Sequence, residues 1–160
     1  MTAPDVFSIT NPALTSLLLW SFLEGFETGE RSGCSFPLIF LPLPLVLSQS
    51  IRDDFKGTNA ATGLYSWITR RQKILINLDT RINKTASLTR TAIMFGASNG
   101  IITIEVNGTL KSNNRGIVKS RLKSNSDEIK EMIGASNKLG VWFSQIDSTS
   151  SILNSLGLTV

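Results

Sequence analysis

Apolar side chains recur at helical spacing over most of the chain, beginning at Asn11-Pro12. Asn favours the N-cap position and Pro fits the first helical turn, so these two residues predict a helix start. Two apolar faces follow, one at Leu14, Leu17, Leu18 and Phe22 and the other at Leu19, Trp20 and Leu23. Such a helix is buried either in its own domain or by a partner. Gly25 and Gly29 mark its end.

The stretch from Phe36 to Leu47 is the most apolar part of the sequence. It is too short for a bilayer span, which needs roughly 20 residues, so a core or partner-facing segment is expected instead of a membrane one. Pro37 is typical of a first helical turn, and a helix from Pro37 to Leu47 is the first interpretation. Pro42 and Pro44 each remove a backbone donor, so an extended segment remains the alternative.

After a short helical turn around Ile51 and Phe55, the helical period returns from Ala60 to Ile82, as two helices jointed near Gln72. Another helix is expected over Ala86–Ser98, ended by Asn99-Gly100.

A β-hairpin follows, because Ile102, Ile104 and Val106 alternate with polar residues ahead of the turn signal Asn107-Gly108. A helix followed at once by a hairpin is the order found in a winged helix. Such a module binds DNA or serves as a protein-docking scaffold, or the hairpin merely closes the core.

Residues 113–125 have few apolar side chains and are expected to form a loop. The segment Asn125-Ser126-Asp127-Glu128 then supplies a cap and first-turn acids for a long helix, and Asp147-Ser148-Thr149 caps a final short helix. The sequence therefore predicts a mainly α, compact helical domain with one β-hairpin, winged-helix-like. The single domain spans 1–160 and divides into 1–10 (N-terminal segment), 11–57 (apolar helical part), 60–112 (helices plus hairpin wing), 113–125 (basic loop) and 126–160 (C-terminal helices).

The chain has no histidine and one cysteine, Cys34, which excludes His-dependent triads, zinc fingers and CxxC redox pairs. No glycine-rich loop with Lys-Ser or Lys-Thr opens a helix, so no Walker-type nucleotide site is expected. We therefore expect no enzyme activity, no catalytic residues, no cofactor and no metal. The absence of an intrachain disulfide fits a reducing cytoplasm, and Met1 to Thr10 carry no cation that would suit a secretory signal.

Acidic residues and the cysteine offer little chemistry of their own. Asp53-Asp54 is interpreted as a solvated turn, with a metal-dependent hydrolase as the alternative. The acids Asp127 and Glu128 are explained by the helix dipole. Cys34 is expected to be a surface thiol in a loop.

Cations cluster after the hairpin, in a window with no acid between Val106 and Ser126. Such a segment can follow a phosphate backbone by charge alone, although a charged loop is often only solvated surface. The candidate nucleic-acid-binding residues are Lys111, Arg115, Lys119, Arg121 and Lys123. A second cluster comprises Arg70, Arg71 and Lys73.

The order of several segments resembles a known family. They are Asn11-Pro12-Ala13-Leu14, the Pro37–Leu47 block, Leu64–Ile68, Thr89–Gly96, the hairpin opening at Gly100 and Leu139–Phe143. Together they are similar to the middle component of three-component ABC systems, the bacterial anti-phage defence loci that include Lamassu-type systems. The resemblance covers Asn11 to Leu158 and contains no catalytic signature.

That resemblance implies an adaptor placed between an ABC ATPase of the structural-maintenance-of-chromosomes (SMC) kind and an effector, often a nuclease. We therefore expect a non-catalytic subunit of a hetero-oligomeric defence complex, with weak sequence-independent DNA contact as an additional property. A stand-alone winged-helix DNA-binding regulator is the alternative. Aromatic and leucine-rich faces dominate interface cores, so the candidate partner-binding residues are Leu19, Trp20, Phe22, Leu23, Phe36 and Phe40.

Overall fold

The computed structural model of the protein describes residues 11–29, 33–117 and 125–158. Its α-helices are α1 (Pro12–Phe26), α2 (Pro42–Val46), α3 (Gln49–Asp53), α4 (Leu64–Arg70), α5 (Leu78–Ser98), α6 (Asp127–Ser144) and α7 (Thr149–Ser155). Two 3-10 helices, Phe36–Phe40 and Gln72–Leu75, and the strands β1 (Ile102–Ile104) and β2 (Leu110–Ser112) complete the described elements. The prediction of a mainly helical protein with one hairpin is confirmed.

Helix α1 begins where the sequence predicts. The side-chain oxygen of Asn11 accepts a hydrogen bond from the amide of Ala13 at 3.0 Å, and Pro12 is the first helical residue. Eleven of the fifteen residues of α1 are buried. The helix is therefore surrounded by the rest of the protein, mainly by α6 and α5.

A break in the helical path accommodates the prolines of the apolar segment. The 3-10 helix ends before Leu41, and α2 begins at Pro42. Pro42 and Pro44 then occupy the first and third positions of α2, where backbone amides have no acceptor within the helix. The segment is thus neither one helix nor an extended strand, but two short helices.

Helix α5 is longer than the sequence predicts. The expected joint near Gln72 is confirmed, because α4 ends at Arg70 and a 3-10 helix follows. The expected boundary between Ile82 and Ala86 is wrong: α5 continues through it, since no glycine or proline interrupts the helical hydrogen bonds there. Gly100, with a φ of 70°, provides the expected left-handed exit after α5.

The hairpin is confirmed, with Thr103 opposite Lys111 and Gly108 in a left-handed conformation (φ 86°). On its other edge β2 is bridged by Cys34, whose amide donates to the Leu110 oxygen at 2.8 Å. Cys34 is fully buried. The prediction of a surface thiol is wrong because its loop pairs with a strand far along the chain, which local sequence does not reveal.

Helices α1 and α6 cross so closely that their backbones touch at two glycines. A Cβ on Gly25 would lie 2.1 Å from the Asn137 oxygen, and one on Gly140 would lie 2.0 Å from the Phe22 oxygen. Two serines complete the contact, since Ser136 Oγ donates to the Leu18 oxygen at 2.6 Å and Ser21 Oγ donates to the Ile133 oxygen at 2.8 Å. Small side chains therefore set the distance between the two helices.

The C-terminal helices begin at their predicted caps. Ser126 Oγ accepts from the Ile129 amide at 3.3 Å, and Ser148 Oγ accepts from the Ser151 amide at 3.1 Å. Three aromatic rings pack against one another, Phe55 after α3, Trp67 on α4 and Trp142 on α6, and the rings of Phe55 and Trp142 are stacked. The buried apolar side chains of the described residues form one cluster, while the division into sequence segments stays a prediction.

Candidate partner-binding and nucleic-acid-binding surfaces

The candidate partner residues of α1 lie inside the protein. Leu19, Phe22 and Leu23 are fully buried. Trp20 is only 6% exposed, and its indole donates to Asn114 Oδ1 at 3.1 Å. The interpretation of these four residues as a surface is corrected: the core of this chain covers them, because α1 packs between α5, α6 and β2.

The two aromatic candidates of the 3-10 helix are placed differently. Phe36 is 44% exposed and Phe40 is half-buried, with their rings edge to face at 5.4 Å between centroids. The neighbouring Ser35 hydroxyl bonds to the hydroxyl of Thr149 at 2.8 Å, which ties this helix to α7. Phe36 and Phe40 therefore form an apolar surface feature on a 3-10 helix that is hydrogen-bonded to α7.

The structure describes only part of the basic segment. Lys111 lies on β2 and its ammonium is 3.5 Å from the carboxylate of Glu105 on the opposite side of the hairpin. Arg115 is exposed at the turn that follows β2. Lys119, Arg121 and Lys123 lie outside the described residues, so their use in nucleic-acid binding stays a prediction.

The expected order of helix and hairpin is present, and the two elements are in close contact. A Cβ on Gly96 of α5 would lie 2.7 Å from the side chain of Ile102 on β1. Along the opposite side of α5 runs an exposed face without acids that carries Asn83, Lys84, Ser87, Arg90, Thr91, Met94 and Ala97. The helix thus offers a long exposed surface with two cations, Lys84 and Arg90.

A cationic cleft lies at the start of α5, and it includes Lys73 of the second cation cluster that the sequence indicates. It has a volume of about 590 Å³, and the residues lining it include Lys73, Ile76, Arg81 and Lys84, with no acidic side chain among them. Ile76 is 63% exposed. A signal for this site exists in the sequence, since residues 70–91 contain six cations and a single acid.

Arg81 is held in a fixed position in the cleft. Its Nη2 donates to the Ile74 oxygen at 2.6 Å and to the Ile76 oxygen at 3.2 Å. Partial burial lowers the pKa of the Arg81 guanidinium from its ordinary value, which still leaves it charged at neutral pH. Arg81 therefore shapes the cleft, whereas Lys84 is exposed on α5.

The two adjacent aspartates have different environments. Asp53 pairs with Lys56 at 3.3 Å on the surface. Asp54 is only 7% exposed, and its oxygens lie 3.5 Å from Arg71 Nε and from Lys73 Nζ. The interpretation of Asp54 as solvated is therefore wrong. Two nearby cations also oppose a metal ion there, and no group of three potential ligands occurs in the described ranges.

Two further cations have structural roles that the sequence did not indicate. Arg52 is 2% exposed and donates to Glu128 at 3.0 Å, to Glu131 at 3.3 Å and to the Val46 oxygen at 2.9 Å. Glu128 therefore pairs with a buried arginine besides lying at a helix start. Lys138 donates to the oxygen of Thr58 at 3.0 Å, and burial lowers its pKa.

Comparison with known families gives one match over nearly the whole chain. The family model described as ABC-three component (ABC-3C) system Middle Component 3 matches residues 5–160. No curated protein and no solved structure matches the chain. None of the helices in the described part is long and apolar enough to cross a membrane.

Proposed function

Since the chain belongs to the Middle Component 3 family of ABC-three component systems, we propose that it is a non-catalytic adaptor that joins an SMC-like ABC ATPase to an effector protein. In this proposal the effector, such as a nuclease, acts in anti-phage or anti-plasmid defence. A middle component of a multi-component system has protein partners, and the adaptor role assigns two of them. Family membership is the observation that carries the proposal.

The surface of the protein supports an adaptor role. Phe36 and Phe40 form an apolar feature, and α5 carries an exposed face that spans its length. Exposed aromatic side chains are enriched at the centres of protein interfaces. The protein therefore has two exposed features that suit partner binding, one at the 3-10 helix Phe36–Phe40 and one along α5.

Co-expression of the chain with the ABC ATPase and the effector of its system tests this function. We expect the chain to co-purify with both, and each pairwise complex to form with the chain but not between ATPase and effector alone. Size-exclusion chromatography of the mixtures measures assembly. A monomer that binds neither protein contradicts the adaptor role.

A stand-alone winged-helix DNA-binding regulator is the second candidate. The contact between α5 and β1, together with the exposed cations Lys84 and Arg90, favours it. This function requires tight binding to one duplex sequence that survives moderate salt. A gel-shift series over salt concentration separates the two candidates, because an adaptor shows only weak and steeply salt-dependent binding or none.

A further inference from the structure

The cationic cleft at the start of α5 is an unassigned site with a defined chemistry. We propose that it binds an acidic segment of a partner protein, in which Asp or Glu residues flank an apolar side chain. The proposal rests on the adaptor function and adds the surface and the chemistry by which one partner is held. Charge complementarity and the shape of the cleft carry it.

The part of the sequence that forms the cleft is rich in positive charge. Residues 70–91 contain six cations and one acid, a net charge of +5, whereas the whole chain has a net charge of +4. Lys73, Arg81 and Lys84 all line the cleft. Within the described residues, no carboxylate lies at ion-pair distance from Arg81 or Lys84, and Lys73 is 3.5 Å from Asp54. The cleft therefore presents positive charge that the fold leaves largely unbalanced.

An exposed isoleucine distinguishes a protein segment from nucleic acid as the occupant. Ile76 lines the cleft together with Lys73 and Arg81 and is 63% exposed, so it offers an apolar contact beside the cations. A duplex presents a convex row of phosphates, which does not use an isoleucine inside a concavity of about 590 Å³. An acidic segment with one apolar side chain matches both the cations and Ile76.

The cleft is pre-formed, which favours binding. Arg81 is fixed by two backbone oxygens, and the ammonium of Lys73 lies 3.5 Å from the buried carboxylate of Asp54. A segment that binds here does not have to order these side chains, and ordering long side chains is a main cost of association.

Two matched charge variants test the site in the full chain. Thr80→Glu with Lys84→Glu places acids in the cleft at two exposed positions. Thr28→Glu with Lys130→Glu makes the same chemical changes at exposed positions outside the cleft and outside the exposed face of α5. Both variants keep Arg81 and Asp54, so each is expected to fold, and circular dichroism with thermal unfolding verifies this.

Each variant is titrated with the purified ABC ATPase, with the purified effector and with a short labelled DNA duplex. We expect the cleft variant to bind one of the two proteins at least about tenfold more weakly, with the control variant within about twofold of the wild type. Milder replacement, Lys84→Gln, should give a smaller loss in the same direction.

Three results overturn the site. The proposed site is contradicted if wild type and cleft variant bind both proteins equally well. It is also contradicted if the cleft variant and the control variant lose protein binding equally. Loss of duplex binding with unchanged protein binding assigns the cleft to nucleic acid instead. These results leave the adaptor function intact, whereas a wild-type chain that binds neither protein overturns the adaptor function and the cleft proposal together.

Discussion

Helices α1 and α5 differ most clearly in what surrounds them. In α1 eleven of fifteen residues are buried, whereas in α5 only five of twenty-one are. The more apolar of these two helices therefore lies in the core, and the longer, more polar helix supplies surface. In a protein that works by binding, a strongly apolar sequence segment can identify the core while the interface lies elsewhere.

Truncation of one buried and one exposed side chain tests this difference most directly. Leu19→Ala on α1 should lower the free energy of unfolding by about 2–5 kcal/mol, because it leaves a cavity in the core. Phe36→Ala should lower it by less than about 1 kcal/mol while weakening partner binding. Urea unfolding followed by circular dichroism measures the stability of both variants. Similar losses of stability would contradict the assignment of Phe36 to the surface.

The glycines of α6 test whether backbone contact fixes α1 in the core. Gly140→Ala should destabilise the protein by about 2–3 kcal/mol, because the new Cβ would meet the Phe22 backbone oxygen. Gly134→Ala is the matched control on the same helix, with nothing within 4 Å of the added atom. It should stabilise by about 0.5–1 kcal/mol through helix propensity. Equal effects would show that the two helices are able to separate at no cost.

The few buried positions of α5 include a polar one. Thr89 is fully buried and its hydroxyl is among the described atoms without a hydrogen-bond partner. Thr89→Val should raise the free energy of unfolding by about 1 kcal/mol, because valine has the shape of threonine but lacks the buried hydroxyl that has no hydrogen-bond partner. Thr85→Val is the control, because the Thr85 hydroxyl donates to the Arg81 oxygen at 2.9 Å. A gain in the control but not at Thr89 would contradict this account.

The smallest change in stability is expected for the cations that follow β2 in the sequence. Replacing Arg115, Lys119, Arg121 and Lys123 with Gln should change stability by well under about 1 kcal/mol. If the segment contacts phosphates, DNA binding by the assembled complex weakens for all sequences, and the salt slope flattens by up to about one unit per lost contact. Gel shifts over salt concentration measure the slope, with Lys56→Gln plus Lys130→Gln as control. An unchanged slope in an intact complex shows that the segment only faces solvent.

Features set by neighbouring residues could be predicted from the sequence. The caps Asn11, Ser126 and Ser148 act within three residues of themselves, and the Asn107-Gly108 turn acts on the two strands beside it. The family could also be predicted, because its resemblance rests on the order of segments along the whole chain.

Features that depend on distant contacts could not be predicted. Cys34 is buried by pairing with Leu110, and Asp54 is enclosed by cations that follow it by about twenty residues. Distant contacts also explain why the candidate partner residues of α1 lie in the core. Periodicity predicted that the helix is buried but could not tell whether its own domain or a partner covers it.

The crossing of α1 and α6 also bears on the order in which the protein is made. Residue 26 ends α1 and residue 144 ends α6. At about 5–20 residues per second, the ribosome therefore completes α6 roughly 6–24 s after α1. Throughout that interval α1 lacks the part of its covering surface that α6 supplies. Folding of this core is consequently a late event of synthesis, and chains interrupted before α6 expose a helix that invites chaperone capture or aggregation.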